Sequence, residues 1–192
     1  MRVGLFGGSF DPAHEGHAHV AQTALRRLRL DRVIWLVSPQ NPLKRGRPPA
    51  SLAERMAGAR AVATGPSMVV SDIEARIGSV FTVDTLRTLK ARRPGVHFVW
   101  IMGSDSLANF HRWQGWKRIF REVPVAVVAR PQALTASRFA PAAKRFAKAR
   151  QPERMAPLLA TMPPPAWIFL HGRLSYASST ALRAKRAGEV PG

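Results

Sequence analysis

The residues of this chain best equipped for chemistry are two glycines and two histidines. They lie in Gly7-Gly8-Ser9-Phe10-Asp11-Pro12-Ala13-His14-Glu15-Gly16-His17. Adjacent glycines let the backbone approach a ligand with no Cβ in the way. His14 and His17 are three apart, so they share one face once a helix has begun. A short apolar run, residues 3–6, precedes the stretch, and a helix-like segment, residues 18–30, follows it. The order strand, glycine turn, helix start puts N–H groups and two imidazoles at the positive end of a helix. Anionic oxygens are favoured there. Better-known phosphate and metal patterns do not fit this stretch. A dinucleotide fingerprint needs G-x-G-x-x-G, a phosphate loop G-x-x-x-x-G-K-[ST] and a zinc helix H-E-x-x-H.

Two further groups qualify. Gly103-Ser104-Asp105 lies beyond the carboxyl end of a strongly apolar run, residues 96–102. Open α/β sheets bind ligands at that edge. Near the other terminus, Ser178, Ser179 and Thr180 open a helix with Arg183 inside its first turn. Hydroxyls, free N–H groups and a guanidinium there suit a triphosphate. Taken alone, an ordinary Ser/Thr helix cap explains them as well.

The elements that must position these residues alternate. Strands are expected at residues 2–6, 32–37, 68–71, 96–102, 123–129 and 167–170, and helices at 16–29, 51–64, 82–92 and 181–187. Val20, Ala24 and Leu28 recur at helical spacing. Ser51 and Glu54 make a capping box. Residues 33–37 are all apolar, as in a strand buried on both faces. Residues 133–162, rich in Ala, Arg and Pro, read as a mobile loop plus a short helix. Alternating strands and helices imply a parallel sheet. The expected fold is α/β, a Rossmann-like doubly wound sheet forming one domain over residues 1–192. It ends in a small helical part, with a phosphate-binding helix at about 178–187.

Composition narrows the setting. The chain has 192 residues, enough for one domain with a substantial core. It has no cysteine, which excludes disulfides and thiolate metal sites. No signal-peptide pattern opens it, and no apolar run approaches the roughly 20 residues of a membrane-spanning helix. A cytoplasmic protein away from membranes is expected. Thirty Lys and Arg against 11 Asp and Glu give a net charge of +19. That balance invites a nucleic-acid reading. The basic residues are scattered, however, and only residues 138–154 form a basic helical stretch. A solvated basic surface helped by anionic substrates is the reading preferred here, with no specific nucleic acid; a homo-oligomer is left open.

The first stretch resembles the G-G-x-F-x-P-x-H-x-G-H motif of the nucleotidyltransferase superfamily, through Gly7, Gly8, Phe10, Pro12, His14, Gly16 and His17. Residues 177–183 resemble that superfamily's I-S-S-T-x-I-R motif. Residues 103–119 resemble the G-x-D-x-L-x-x-F-x-x-W-x-x-W-x-x-I region of bacterial nicotinate-nucleotide adenylyltransferases. Residues 81–86 resemble that family's Y-T-x-x-T-L segment. Residues 39–42 resemble its P-N-N-x-P loop, with Gln40 at the usual Asn.

The resemblance implies adenylyl transfer from ATP to nicotinate mononucleotide, giving deamido-NAD and pyrophosphate, in NAD biosynthesis. It implies His14, His17, Lys44 and Arg183 on the triphosphate and in the chemistry. Gly7, Gly8, Ser9, Phe10, Gly103, Asp105, Ser178, Ser179 and Thr180 would bind ATP. Gln40, Thr82, Trp113 and Gln114 would bind the nicotinate nucleotide, Trp113 by stacking on the pyridine. Trp116 is read as packing. Mg²⁺ would travel with ATP, mostly water-bound, with no protein metal ligand. Nicotinamide mononucleotide or phosphopantetheine as acceptor, and a basic nucleic-acid-binding module, are the alternatives.

Overall fold

A computed structural model of the chain describes residues 1–39 and 50–172. Seven strands form one sheet: β1 Arg2–Gly8, β2 Arg32–Val37, β3 Met68–Ser71, β4 His97–Gly103, β5 Val125–Val128, β6 Arg150–Gln151 and β7 Trp167–Leu170. Their spatial order is β3-β2-β1-β4-β5-β7-β6, and every neighbouring pair is parallel. The expected α/β sheet is present. The helices are α1 Glu15–Arg27, α2 Leu52–Val62, α3 Ile73–Arg76, α4 Thr82–Arg92, α5 Ser104–Asn109, α6 Trp116–Glu122, α7 Leu134–Arg138 and α8 Pro141–Arg145.

Parallel strands covered on both faces carry apolar side chains on both faces. In β4, Phe98, Trp100 and Met102 enter one core, with Ile119, Phe120 and Trp167. Val99 and Ile101 enter the other, with Ala24, Leu28 and Val33. The period of two in one strand thus feeds two separate cores. β1 pairs with β2 on one side and β4 on the other. The chain's direction of travel across the sheet reverses there, and the crevice beyond the carboxyl ends opens at that point. Gly7 ends in that crevice; a Cβ on it would run into the Trp100 ring.

Residues 133–162 differ from expectation. They are not a mobile loop with one short helix: α7, α8, β6 and a 3₁₀ run, Glu153–Thr161, account for most of them. Ala140, Ala142, Phe146, Ala156 and Leu159 are buried there. Phe146 stacks on Phe120 at 4.4 Å, and Trp167 Nε1 donates to the Phe146 carbonyl at 2.8 Å. Small side chains pack closely without a strong apolar period. β1 also runs two residues beyond the expected end, to Gly8, while α3, α5 and α6 were not foreseen. The expected helix at 181–187 lies outside the described residues. No helix among the described residues is long and apolar enough to cross a membrane.

Candidate active site

The glycine stretch ends β1, and His14 then caps α1. Its Nδ1 accepts from the Gly16 N–H at 3.0 Å, while His17 Nδ1 accepts from the His14 N–H at 3.2 Å. The two histidines therefore make the reciprocal capping box that Ser and Glu usually make. A ring nitrogen that accepts holds no proton, so in both rings the proton sits on Nε2. The rings lie face to face, centroids 3.8 Å apart and 35° inclined. His14 is buried, and its pKa falls to about 4. Burial is the main cause and the Arg130 charge adds to it, while Asp105 works the other way. His14 is thus a neutral donor at physiological pH.

Phe10 holds this arrangement from below. It is buried at φ +46°, in the left-handed region. Its ring lies 5.4 Å from Phe6, 5.0 Å from His17 and 5.1 Å from Trp35. Packing of that density maintains a backbone state that a free Phe avoids. Arg55, on α2, fastens the neighbouring loops. Its guanidinium donates to the carbonyls of Ser9 (2.9 Å), Ser38 (2.6 Å), Pro39 (3.2 Å) and Ala50 (2.9 Å).

One cavity of about 470 Å³ opens beside these groups. Its lining includes Gly7, Gly8, Ser9, Phe10 and His17, with Ser38. Glu74, Val80, Phe81, Thr82, Trp113 and Gln114 line the same cavity. Gly103, Asp105, Ser106, Arg112 and Arg130 also line it. Arg130 Nη1 donates to Asp105 Oδ2 at 2.8 Å, and the Arg130 N–H donates to Ser104 Oγ at 2.9 Å. A Cβ on Gly103 would strike the Asp105 carboxylate and Arg130 Cδ. Trp113 is half-buried, tilted against Phe110 (5.1 Å) and edge-on to Trp100 (6.1 Å). Trp116 instead meets Phe146 edge-on at 6.1 Å.

Ten of the residues singled out in the sequence therefore share this cavity: Gly7, Gly8, Ser9, Phe10, His17, Thr82, Gly103, Asp105, Trp113 and Gln114. His14 stands against His17 rather than in the wall. Gln40, Lys44, Ser178, Ser179, Thr180 and Arg183 lie outside the described residues. Sequence reasoning missed Arg130, Arg112, Glu74 and Ser106. Arg130 follows β5 as Gly103 closes β4, so the same edge rule could have found it. Glu74 had no local signal.

The profile of the cytidylyltransferase-like family matches residues 5–185. A probable nicotinate-nucleotide adenylyltransferase of Caulobacter sp. (strain K31) is 64% identical over 186 residues, covering 97% of this chain and 98% of that protein. One of Methylorubrum extorquens is 58% identical over 185 residues, covering 96% of this chain and 100% of that protein. Among solved structures, Plasmodium falciparum nicotinic acid mononucleotide adenylyltransferase complexed with NaAD superposes with a TM-score of 0.69. It covers 95% of this chain and 82% of that one at 17% identity, a likeness of fold. The chain belongs to the cytidylyltransferase-like nucleotidyltransferases and, within them, to the nicotinate-nucleotide adenylyltransferase family.

Proposed function

We propose that the cavity joins ATP to nicotinate mononucleotide, releasing pyrophosphate and deamido-NAD. The observation that carries this reading is the shared cavity: the histidine and glycine wall and the Thr82–Trp113 wall face one space. A phosphate oxygen of the mononucleotide attacks the α-phosphorus of ATP in line. A new P–O bond forms, the bond from the α-phosphorus to the bridging oxygen breaks, and pyrophosphate leaves with that electron pair. The nucleophile is already an anion, so no base and no covalent intermediate is needed. The protein's work is orientation and charge stabilisation.

The Nε2–H groups of His14 and His17 donate to phosphate oxygens as charge moves onto the leaving group. Gly7, Gly8, Ser9 and Phe10 line the ATP end, and Asp105, steadied by Arg130, takes a ribose hydroxyl. Lys44, Arg183 and the hydroxyls of Ser178, Ser179 and Thr180 neutralise and hold the β- and γ-phosphates. Trp113 stacks on the pyridine, with Gln114 and Gln40 beside the nucleotide. No side chain caps α4, so its first-turn N–H groups, at Thr82, suit the ring carboxylate. The carboxylates of the cavity suit a protein-held cation poorly, since Asp105 already accepts from Arg130. Mg²⁺ would accordingly be carried by the triphosphate rather than by these side chains, and would supply positive charge to offset that of the phosphates.

The test is pyrophosphate release by the purified chain with ATP, Mg²⁺ and each of three acceptors: nicotinate mononucleotide, nicotinamide mononucleotide and phosphopantetheine. Release is expected with the pyridine nucleotides, the acid foremost. Release with phosphopantetheine alone, or with none, would contradict the proposal.

A further inference from the structure

Glu74 is a carboxyl for which the transfer reaction has no evident use. It is 7% exposed and yet forms part of the wall of the cavity that Thr82 and Trp113 also line. Thr85 Oγ1 lies 3.3 Å from its Oε1 and 2.9 Å from Ser79 Oγ, and Ser79 Oγ lies 3.1 Å from the Phe81 carbonyl. Two hydroxyl protons cannot fill three such contacts. All three are filled at once, Ser79 to Phe81, Thr85 to Ser79 and Glu74 to Thr85, when Glu74 carries a proton of its own. Once Glu74 ionises and draws the Thr85 proton, the Thr85–Ser79 contact has a donor only if Ser79 turns away from the Phe81 carbonyl, which keeps the N–H groups of Asp84 and Thr85.

Among the described residues, no cation is bonded to the Glu74 carboxylate. On its own helix, Arg76 is bound to Asp72 at 2.8 Å. On α4, Arg87 is held by Glu122 at 3.0 Å, and Asp84 is a further anion in the first turn. Across the cavity Arg130 is bound to Asp105, and Arg112 lines the wall. None of these is bonded to Glu74 among the described residues. Burial accordingly pushes the carboxyl up to about 7, against the opposing pull of the Thr85 hydroxyl.

We infer that Glu74 sets acceptor specificity: protonated, it lets the cavity take an anionic ring substituent, and ionised, it favours a neutral amide instead. This rests on a pyridine mononucleotide being the acceptor. Two carboxylates facing one cavity, one of them on the buried Glu74, cannot both be charged cheaply. A binding-competent form that is only fractionally populated weakens apparent affinity by that fraction.

The experiment compares kcat/KM for nicotinate mononucleotide with kcat/KM for nicotinamide mononucleotide, from about pH 6 to about pH 8. Taking the ratio cancels the ionisation of ATP and of the shared phosphate. In the wild-type enzyme the preference for the acid should fall about tenfold over that range. In Glu74→Gln, which keeps an acceptor for Thr85, the ratio should be flat. A flat ratio in wild type overturns the inference without any variant, so a poorly folding Glu74→Gln does not shield it. An equal slope in wild type and Glu74→Gln also overturns it. Turnover of neither nucleotide at any pH would remove the acceptor assignment, and this inference with it.

Discussion

The proton on His14 is placed by the backbone. Because Nδ1 accepts from Gly16, only Nε2 can donate, and burial keeps the ring neutral with its pKa near 4. That shift has a stability consequence. The unfolded imidazole takes its proton near 6.5, so between about 4 and 6.5 the unfolded chain binds more protons. Stability from His14 is complete above that window and is lost as pH falls through it. Glu74 runs the opposite way: its contribution is present below 4.5 and is gone above about 7. Wild type therefore sums opposing slopes, and the difference from His14→Asn isolates one of them. In urea unfolding, wild type should gain on His14→Asn as pH rises from about 4.5 to about 6.5. A constant gap would mean that the ring titrates alike in both states. His14, His17 and the glycines could be found in the sequence because they are local: their spacing is their geometry. Glu74 could not, because it meets the site only through the fold, from α3; Arg130 is marked only by its place just beyond the end of β5.

Arg55 shows how a helix can secure loops it does not belong to. Four carbonyls from three segments converge on its guanidinium, which is 4% exposed. Replacing it with Met removes four charged hydrogen bonds to carbonyls that are not fully buried, a loss of about 2–3 kcal/mol by the usual cost of such bonds. Arg55→Met should therefore unfold at lower denaturant concentration and bind ATP more weakly. A variant as stable as wild type would show that the loops are held by other means. Elements with sharp ends were readable in advance. β2, β3, α4 and β7 begin and end where their apolar or periodic runs do, and Ser51 with Glu54 marks the start of α2 through an observed capping box. Residues 133–162 were misread because alanine and proline carry neither period strongly. Their order comes from tertiary packing, as with Phe146 on Phe120. α5 and α6 have six and seven residues, too short to announce themselves by periodicity.

The parallel sheet brings residues 6–17 and residues 74–130 to one crevice, although β1 and β5 are more than a hundred residues apart in the chain. The crevice sits where β1 and β4 are neighbours, so the residues proposed as donors and those proposed to bind the acceptor reach it from separate stretches of the sequence. A net charge of +19 suits a molecule whose proposed ligands are all anionic, and speaks to association rather than to the fold. Whether these parts form one reaction centre is decided by the turnover of His17→Ala at saturating ATP and nicotinate mononucleotide, followed as deamido-NAD formed per enzyme. The expected result is a fall in kcat of about 10²-fold or more, the usual effect of deleting one preorganised donor, in a chain that keeps its fold by circular dichroism. Wild-type turnover by that variant would contradict it.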